Sequence, residues 1–174
     1  GRGAWAPVFE QCHDVNGVLR STIDPTGALV TLEVDALARP IRKIVDAPGG
    51  QEQYTWSYDN AANVALGRVW RAQSPLTTTE TGYDRRGFAT QTSTTIAPHV
   101  GGLSSWAVKA SYGLQGELGR YDASGVPVGQ ASSVALGAIA LRRDVRGQVV
   151  GIDEGTTEIV GVPSYDAFGR VASL

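Results

Sequence analysis

The feature that most constrains the fold is a short turn motif that recurs along the chain. Seven segments contain an aspartate in this motif, and five of them have a glycine three positions later. The aspartates are Asp14, Asp35, Asp59, Asp84, Asp122, Asp144 and Asp166, and the glycines are Gly17, Gly87, Gly125, Gly147 and Gly169. Successive aspartates are 21, 24, 25, 38, 22 and 22 residues apart. Such a period is the signature of a repeat architecture, in which each unit packs mainly against its neighbours.

The motif Asp-x-x-Gly has the chemistry of a tight turn. The carboxylate can accept hydrogen bonds from backbone N–H groups just ahead of it, and glycine adopts the positive φ that other residues resist. A second set of turn signals, which start at Asp24 (with Gly27), Asp46 and Asp153, lies between the first set. Each unit therefore contains two turns, with short extended segments between them.

The segments between the turns have the composition of strands. Residues 18–23, 28–34 and 55–58 mix β-branched, aromatic and polar side chains in rough alternation, which is typical of strands. The most helix-like stretches, 61–69 and 134–141, contain Gly67 and Gly137, which disfavour a helix. The sequence predicts an all-β fold built from consecutive antiparallel β-hairpins.

The order of these motifs resembles the RHS or YD repeat family. Its pattern is Tyr-Asp-x-x-Gly-Arg, a strand, Asp-Pro-x-Gly, and a strand that ends in Tyr-x-Tyr-Asp. The clearest copies lie within 13–27, 34–59 and 143–170, and one degenerate copy at Tyr112 has Gly113 in place of the aspartate. The resemblance is weakest over 74–121. We expect residues 1–174 to form a single repeat region that is a fragment of a larger shell.

The resemblance implies a structural function. The family includes bacterial polymorphic toxins, the B and C components of insecticidal Tc toxin complexes, and the animal teneurins. Its hairpins join into one curved sheet that forms a hollow shell, and the bacterial shells enclose a toxic C-terminal segment. We expect a wall segment that encapsulates and isolates a toxin cargo for delivery, in a protein that is secreted or on a bacterial cell surface. The implied partners are neighbouring repeats, other shell subunits and the enclosed toxin polypeptide.

A second function class stays open at this point. Extracellular repeat proteins often act as binding modules, so the chain is alternatively a cell-surface module that binds carbohydrate or protein. Tyr58, Tyr83, Tyr121 and Tyr165 precede repeat aspartates. On an outer face they would form an aromatic ladder for glycans. The favoured interpretation is a cross-strand aromatic stack that stabilises the sheet.

Composition argues against several other partners. The chain has 15 Lys and Arg against 17 Asp and Glu, a net charge of -2, so it lacks the basic excess of a nucleic-acid-binding surface. No apolar stretch approaches the roughly 18–20 residues of a membrane helix. We expect no nucleic-acid partner and no membrane insertion by this segment.

The residues that could carry catalysis or bind a metal are few. Cys12 is the single cysteine, and His13 is its neighbour; adjacent residues on a strand point to opposite faces, so the pair does not predict a nucleophile and its base. His99 has no ligand partner at metal spacing. A row of aspartates along one rim would cap turns and would not surround a calcium ion. We expect no catalytic, metal or cofactor site, and no enzyme.

Overall fold

The computed structural model describes residues 10–97, 103–128, 132–144, 146–160, 164–166, 168 and 170–173. Nearly all of the regular structure in this part of the chain is β-strand, and the helical element there is one short 3₁₀ turn, Ala61–Asn63. The strands are β1 (Glu10–His13), β2 (Leu19–Ile23), β3 (Leu29–Val34), β4 (Pro40–Ala47), β5 (Gly50–Tyr58), β6 (Val69–Gln73), β7 (Thr77–Tyr83), β8 (Ala89–Ile96), β9 (Leu103–Tyr112), β10 (Leu118–Pro127), β11 (Val134–Arg143), β12 (Val149–Glu154), β13 (Thr157–Val160), β14 (Ser164–Tyr165) and β15 (Val171–Ser173).

The strands follow one another in the sheet as they do in the chain. Strands β1 to β13 form one sheet in sequence order, and β14 and β15 form a two-stranded sheet. Every neighbouring pair is antiparallel. This arrangement confirms the prediction of an all-β fold made of consecutive antiparallel hairpins.

The sheet has almost no buried core. Among the described residues, the buried apolar side chains are those of Ala28 and Ala65, and the buried polar one is that of Thr94. The accessible surface is 11630 Å², whereas a compact monomer of the same mass would expose about 8100 Å². The strands therefore form a single layer whose side chains are mostly half-exposed.

One face of this layer is polar and carries cross-strand ion pairs. Residues that pair directly lie on the same face, so Arg42 lies beside Glu33 on β3. Its guanidinium donates to Glu33 Oε1 at 3.1 Å and to Gln53 Oε1 on β5 at 2.8 Å. Arg71 and Glu80 pair on the same face, with an N–O distance of 3.5 Å. These contacts link neighbouring strands through water-exposed charges.

The opposite face carries tryptophans and small residues. Trp56 pairs with Ala72, and Trp106 pairs with Thr94. The hydroxyl groups of Thr79 and Thr94 lie 3.0 Å apart across β7 and β8. The side chain of Trp106 is 37% exposed. This face is therefore the more apolar of the two, and in the described part of the chain it has no second layer packed on it.

Two turn signals of the second set do mark hairpin reversals, at residues 48–49 and 155–156, but their aspartates lie inside strands and not in the turns. Asp46 lies inside β4, paired with Gln51, and the reversal is made by residues 48 and 49 between Ala47 and Gly50. Pro48 fixes φ at that turn, which places the aspartate one pair inside the ladder. Asp153 likewise lies within β12.

The motif at Asp122 and Gly125 is not a turn. Asp122 lies within β10, between Lys109 and Ala138, and Gly125 is buried in the same strand. The chain has already reversed at residues 113–117, where Gly116 has a φ of +88°. The residues that follow this turn form the next strand, β10. The Tyr-Asp-x-x-Gly string that begins at Tyr121 therefore lies in extended backbone.

Candidate functional site

The turns that begin at Asp14, Asp35, Asp59, Asp84, Gly113 and Asp144 join β1–β2, β3–β4, β5–β6, β7–β8, β9–β10 and β11–β12. Because the strands alternate in direction, these turns form a row across the strand ends on one side of the sheet. This row of turns is here called the aspartate rim. The turn at Asp166 joins β14 to β15 in the smaller sheet. The turn at Asp24 and Gly27 joins β2 to β3 at the opposite ends of the strands.

Each regular turn is held by one carboxylate oxygen. Asp84 Oδ1 accepts from the amides of Arg86 at 2.9 Å and Phe88 at 3.0 Å, and the amide of Gly87 donates to the Asp84 carbonyl. The same two bonds, to amides two and four residues ahead, occur at Asp14, Asp24, Asp35, Asp144 and Asp166. In the glycine-containing turns Gly17, Gly27, Gly87 and Gly147 donate to the carbonyl of their aspartate. Gly169 lies outside the described residues.

Asp59 belongs to a longer turn. It adopts a φ of +61°, and its Oδ1 accepts from the amide of Gly67 at 2.6 Å across an insertion. The insertion contains the 3₁₀ turn, which Asn60 caps by accepting from the amide of Ala62. Ala65 is fully buried and anchors the insertion. The carboxylate of this turn therefore still organises the chain reversal, but over eight residues.

These hydrogen bonds lower the pKa of six of the turn aspartates, Asp14, Asp24, Asp35, Asp59, Asp84 and Asp166. The guanidinium of Arg39 holds the pKa of both Asp35 and Asp59 below the ordinary value of 3.8. At Asp84, burial raises the pKa, but the amide of Phe88 and the guanidinium of Arg86 outweigh it and the pKa is lowered. The charged form of the carboxylates is thus the form that the folded rim stabilises.

The tyrosines before the aspartates bind backbone. Tyr83 Oη donates to the carbonyl of Val69, the first residue of β6, at 2.6 Å. The equivalent bonds run from Tyr58 to Pro40, from Tyr112 to Ala89 and from Tyr165 to Val149, in each case to the first residue of an earlier strand. Arg143 replaces the tyrosine at the turn of Asp144 and donates to the carbonyl of Leu118, which begins β10. The tyrosine hydroxyls therefore fasten the start of one strand to the end of another.

Three of these tyrosine rings, those of Tyr58, Tyr83 and Tyr112, are covered by the residue that follows the preceding turn. Arg39 lies 4.3 Å from the ring centre of Tyr58, and Phe88 stacks on Tyr112 at 5.0 Å. Arg68 lies over Tyr83 in the same way. For Tyr58 and Tyr83 the favoured prediction of a cross-strand aromatic stack is wrong, because an arginine lies against each ring. An aromatic stack across strands does form between Phe88 and Tyr112.

Two rim glycines also provide space for these contacts. A Cβ atom on Gly87 would lie 2.0 Å from Nη2 of Arg68, and one on Gly116 would lie 2.4 Å from Cζ of Phe88. Both glycines have a positive φ, +94° and +88°. Each glycine therefore serves its own turn and accepts the side chain that reaches over from the turn before.

The degenerate copy predicted at Tyr112 and Gly113 is confirmed as a turn, but the sequence did not reveal the hydrogen bond of Tyr112 or the part played by Glu117. Glu117 Oε2 accepts from the amide of Gln115 at 3.0 Å, and a Cβ on Gly113 would lie 1.9 Å from Glu117 Oε1. Glu117 thus places its carboxylate where an aspartate at position 113 would have its own. The repeat spacing located this turn, because Gly113 is 29 residues after Asp84, but it did not indicate that Glu117 supplies the carboxylate.

Tyr121, although it precedes a repeat aspartate, does not lie at the aspartate rim. It lies in the middle of β10, opposite Ala110 and Ile139, and is 37% exposed. Its neighbour Asp122 is bound by the guanidinium of Arg120 on the same strand, at 2.6 Å.

Chemistry-bearing groups are sparse in the described part of the chain. There, no cluster of three or more His, Cys, Asp or Glu residues has the geometry to hold a metal ion. Cys12 is an exposed free thiol on β1, and His13 follows it at the end of that strand. His99 lies outside the described residues. A search of the same residues for a helix of sufficient length and apolarity to traverse a bilayer finds none.

Comparison with known proteins gives a fold and no sequence family. No family model matches the chain, and no curated protein matches it. A crystal structure of TcdB2-TccC3 without its hypervariable C-terminal region matches 94% of the chain with a TM-score of 0.73 and 15% identity. A second TcdB2-TccC3 crystal structure gives 0.72 and 16%, and the Tc holotoxin pore of Photorhabdus luminescens gives 0.67 and 15%, each over 94% of the chain.

These likenesses establish that the chain has the fold of part of a Tc toxin complex. The chain spans about 9% of the length of each of those three proteins. At this level of identity the agreement concerns the path of the backbone and the order of the hairpins.

Proposed function

We propose that the chain is a wall segment of an RHS-type shell that encloses and isolates a toxin polypeptide. The observation that carries the proposal is the single-layer sheet, which exposes 11630 Å² and, among the residues that the structure describes, buries almost no side chain. A sheet of this kind gains stability from what covers its apolar face and continues its edges. A larger closed wall supplies both.

The edges support the proposal that neighbouring wall is the partner. In the described part of the chain, β1 and β13 each pair with a strand on one side only within the large sheet. An unpaired edge offers N–H and C=O groups to any strand that approaches. The partners we propose are neighbouring repeats or other shell subunits, with the enclosed toxin on one face. The likeness to a Tc holotoxin supports a protein that is secreted or on the bacterial cell surface.

Containment by such a wall is mechanical. The backbone of thirteen strands is continuously paired, so a polypeptide has no route between neighbouring strands. Ion pairs on the polar face and the aspartate rim fix neighbouring hairpins to each other. We propose no catalytic activity, no bound cofactor and no nucleic-acid contact for this segment, because the wall acts through its continuity.

Protease protection tests the proposal. The product of the native gene is purified and digested with a broad-specificity protease, before and after the wall is unfolded with urea. We expect a polypeptide that resists digestion in the intact particle and is degraded once the wall unfolds. A product with no protected polypeptide, in which all segments are cut at similar rates, would contradict it.

The solution mass of the isolated chain is a second test. Exposed sheet edges should drive association, so we expect light scattering to give a mass above that of one 18.3 kDa chain. A well-behaved monomer at micromolar concentration would argue that the edges are satisfied within the chain.

The alternative, a carbohydrate- or protein-binding module, was based on tyrosines displayed on an outer face. Tyr58 and Tyr83 have their hydroxyls bound to backbone carbonyls and their rings against Arg39 and Arg68. These contacts leave little of either ring for a sugar. Glycan-array binding that disappears in Y121A, the variant of the freer tyrosine, with folding intact, would favour the alternative.

A further inference from the structure

Along the aspartate rim, three consecutive turns are each in contact with the next turn through a side chain that lies on a tyrosine ring. The contact is absent at the following turn, which begins at Gly113. Arg39, Arg68 and Phe88 each reach from the end of one turn to the ring of the next. These contacts connect β4 to β5, β6 to β7 and β8 to β9. The boundary between two neighbouring strands is here called a joint. At the joint between β10 and β11 the residue in this position is Glu117, whose carboxylate is turned back onto its own turn.

The missing contact leaves a space between the turns. A cavity of about 300 Å³ lies there, lined by Leu114, Gln115, Glu117, Arg143, Asp144, Arg146 and Gly147. The bond that crosses this joint at the rim runs from Arg143 Nη2 to the Leu118 carbonyl at 3.3 Å. The corresponding bond of Tyr83 is 2.6 Å, and that of Tyr112 is 3.0 Å. The rim is therefore tied more loosely here than at the joint before it.

The strand ladder at this joint is interrupted in its middle. Ala123 pairs with Gly137 and Ser124 with Ala135, so β11 has one residue more than β10 between the two pairs. Gly137 has a φ of +152°, and a bulge of this kind breaks the regular alternation of backbone hydrogen bonds. At β8–β9 the register runs without a shift from Gln91 to Thr95.

Most side chains that pair across the same joint are small. On β11 these are Ala135, Gly137, Ala138 and Ala140, and small residues bury little area against a neighbouring strand. The larger pair across this joint is Tyr121 with Ile139. Among the described residues, the side chains of β10 and β11 form no ion pair or hydrogen bond with one another. The next joint, β11–β12, has an ion pair between Arg142 and Asp153 at 2.9 Å.

We propose that the β10–β11 joint is the line along which this sheet opens first. The gap at the rim, the bulge in the ladder and the small side chains all act at this one joint, and they lower the cost of separating β1–β10 from the strands that follow. This is a property of the sheet itself. Its use as an opening line for an enclosed polypeptide rests on the proposed function.

Hydrogen exchange followed by mass spectrometry tests the proposal on the unmodified chain. We expect the amides of 121–125 and 134–139 to exchange at least about tenfold faster than those of 91–95 and 105–109. Equal exchange in the two sets, or slower exchange at β10–β11, would overturn the proposal. The result does not depend on cargo, so it is separate from the outcome of the protease-protection experiment.

Two variants test the cause. F88A removes the contact at β8–β9 and should raise exchange there about tenfold while β10–β11 keeps its rate. G113D/E117F gives the turn its own aspartate and places a ring toward the Arg143 guanidinium, and it should slow exchange at β10–β11. An F88A protein with unchanged exchange at β8–β9 would overturn the proposed cause. If the double variant does not fold, the wild-type comparison and F88A still decide the question.

Discussion

The hydroxyl of Tyr83 donates a 2.6 Å hydrogen bond to the carbonyl of Val69, and so joins the end of β7 to the beginning of β6. The bond recurs at Tyr58, Tyr112 and Tyr165. Within the described residues Tyr121 makes no such bond, although it also stands in a Tyr-Asp sequence. The two classes of tyrosine give a matched pair for experiment.

Removal of the Tyr83 hydroxyl should destabilise the sheet, and removal of the Tyr121 hydroxyl should not. Y83F leaves the Val69 carbonyl without its side-chain donor, and we expect the free energy of unfolding to fall by about 1 kcal/mol. Y121F should change it by less than about 0.5 kcal/mol. Urea unfolding of both variants measures the difference, and equal effects would show that the hydroxyl bond contributes nothing specific.

The two kinds of Tyr-Asp motif should also differ at the aspartate. D84A removes the acceptor of two backbone amides and of the Arg86 guanidinium. D122A removes an exposed ion pair with Arg120 on the same strand. We expect D84A to lower the urea midpoint at least about twice as far as D122A. If D122A lowers the urea midpoint further than D84A does, the result would contradict the placement of Asp84 in a turn and of Asp122 in a strand.

Acid should weaken the aspartate rim. The pKa of Asp14 is held below its ordinary value of 3.8 by the amide of Val18, and that of Asp35 by the guanidinium of Arg39. A group whose pKa is lower in the folded state stabilises that state above its ordinary pKa, and this stabilisation is lost as pH falls through the folded value.

The urea midpoint should therefore be nearly level above about pH 5 and should decline below about pH 4. Unfolding curves followed by circular dichroism between pH 7 and pH 2.5 measure this. D35N should show a shallower decline than wild type, because it cannot lose that charge. A midpoint that rises on acidification would contradict the sign.

Alanine at Gly116 should cost more than alanine at Gly17. Both glycines have a positive φ, +88° and +78°, so both substitutions strain the backbone by about 1 kcal/mol. At Gly116 the new Cβ would also meet Phe88, whereas at Gly17 it would meet nothing within 4 Å. The excess destabilisation of G116A over G17A measures the contact between turns, and no excess would show that the Phe88 ring moves aside freely.

The effect of an aspartate at position 113 should depend on Glu117. In wild type G113D puts a second carboxylate where Glu117 already lies, and we expect destabilisation. In an E117S background the same change restores the usual cap, and we expect stabilisation, because Gly113 is not among the glycines with positive φ. Thermal unfolding of the four proteins gives the cycle. If G113D changes the stability in the same direction in both backgrounds, Glu117 does not take the place of the missing aspartate.

Much of the fold followed from the sequence because turn chemistry is local. The carboxylate of Asp14 needs only amides within four residues, and the positive φ at Gly17 needs only a glycine, so both are readable from a short string. Strand order then follows, since each tight reversal pairs a strand with its successor.

The errors arose where the same string occurs in a different place relative to the strand ends. Nothing local separates Asp84 from Asp122, because the difference is whether the chain has just crossed the sheet. Glu117 was missed because its carboxylate acts on a turn that begins four residues earlier. The contacts of Arg39 and Phe88 were missed because their partner turns are more than 15 residues away, and only the assembled sheet brings them together.

Electron cryomicroscopy of the native-gene product tests the central claim most directly. We expect strands β1 to β13 to appear as consecutive members of one continuous sheet that continues on both edges and encloses a lumen. A map in which these strands close on themselves around a core of their own, as a sandwich or barrel, would contradict the account.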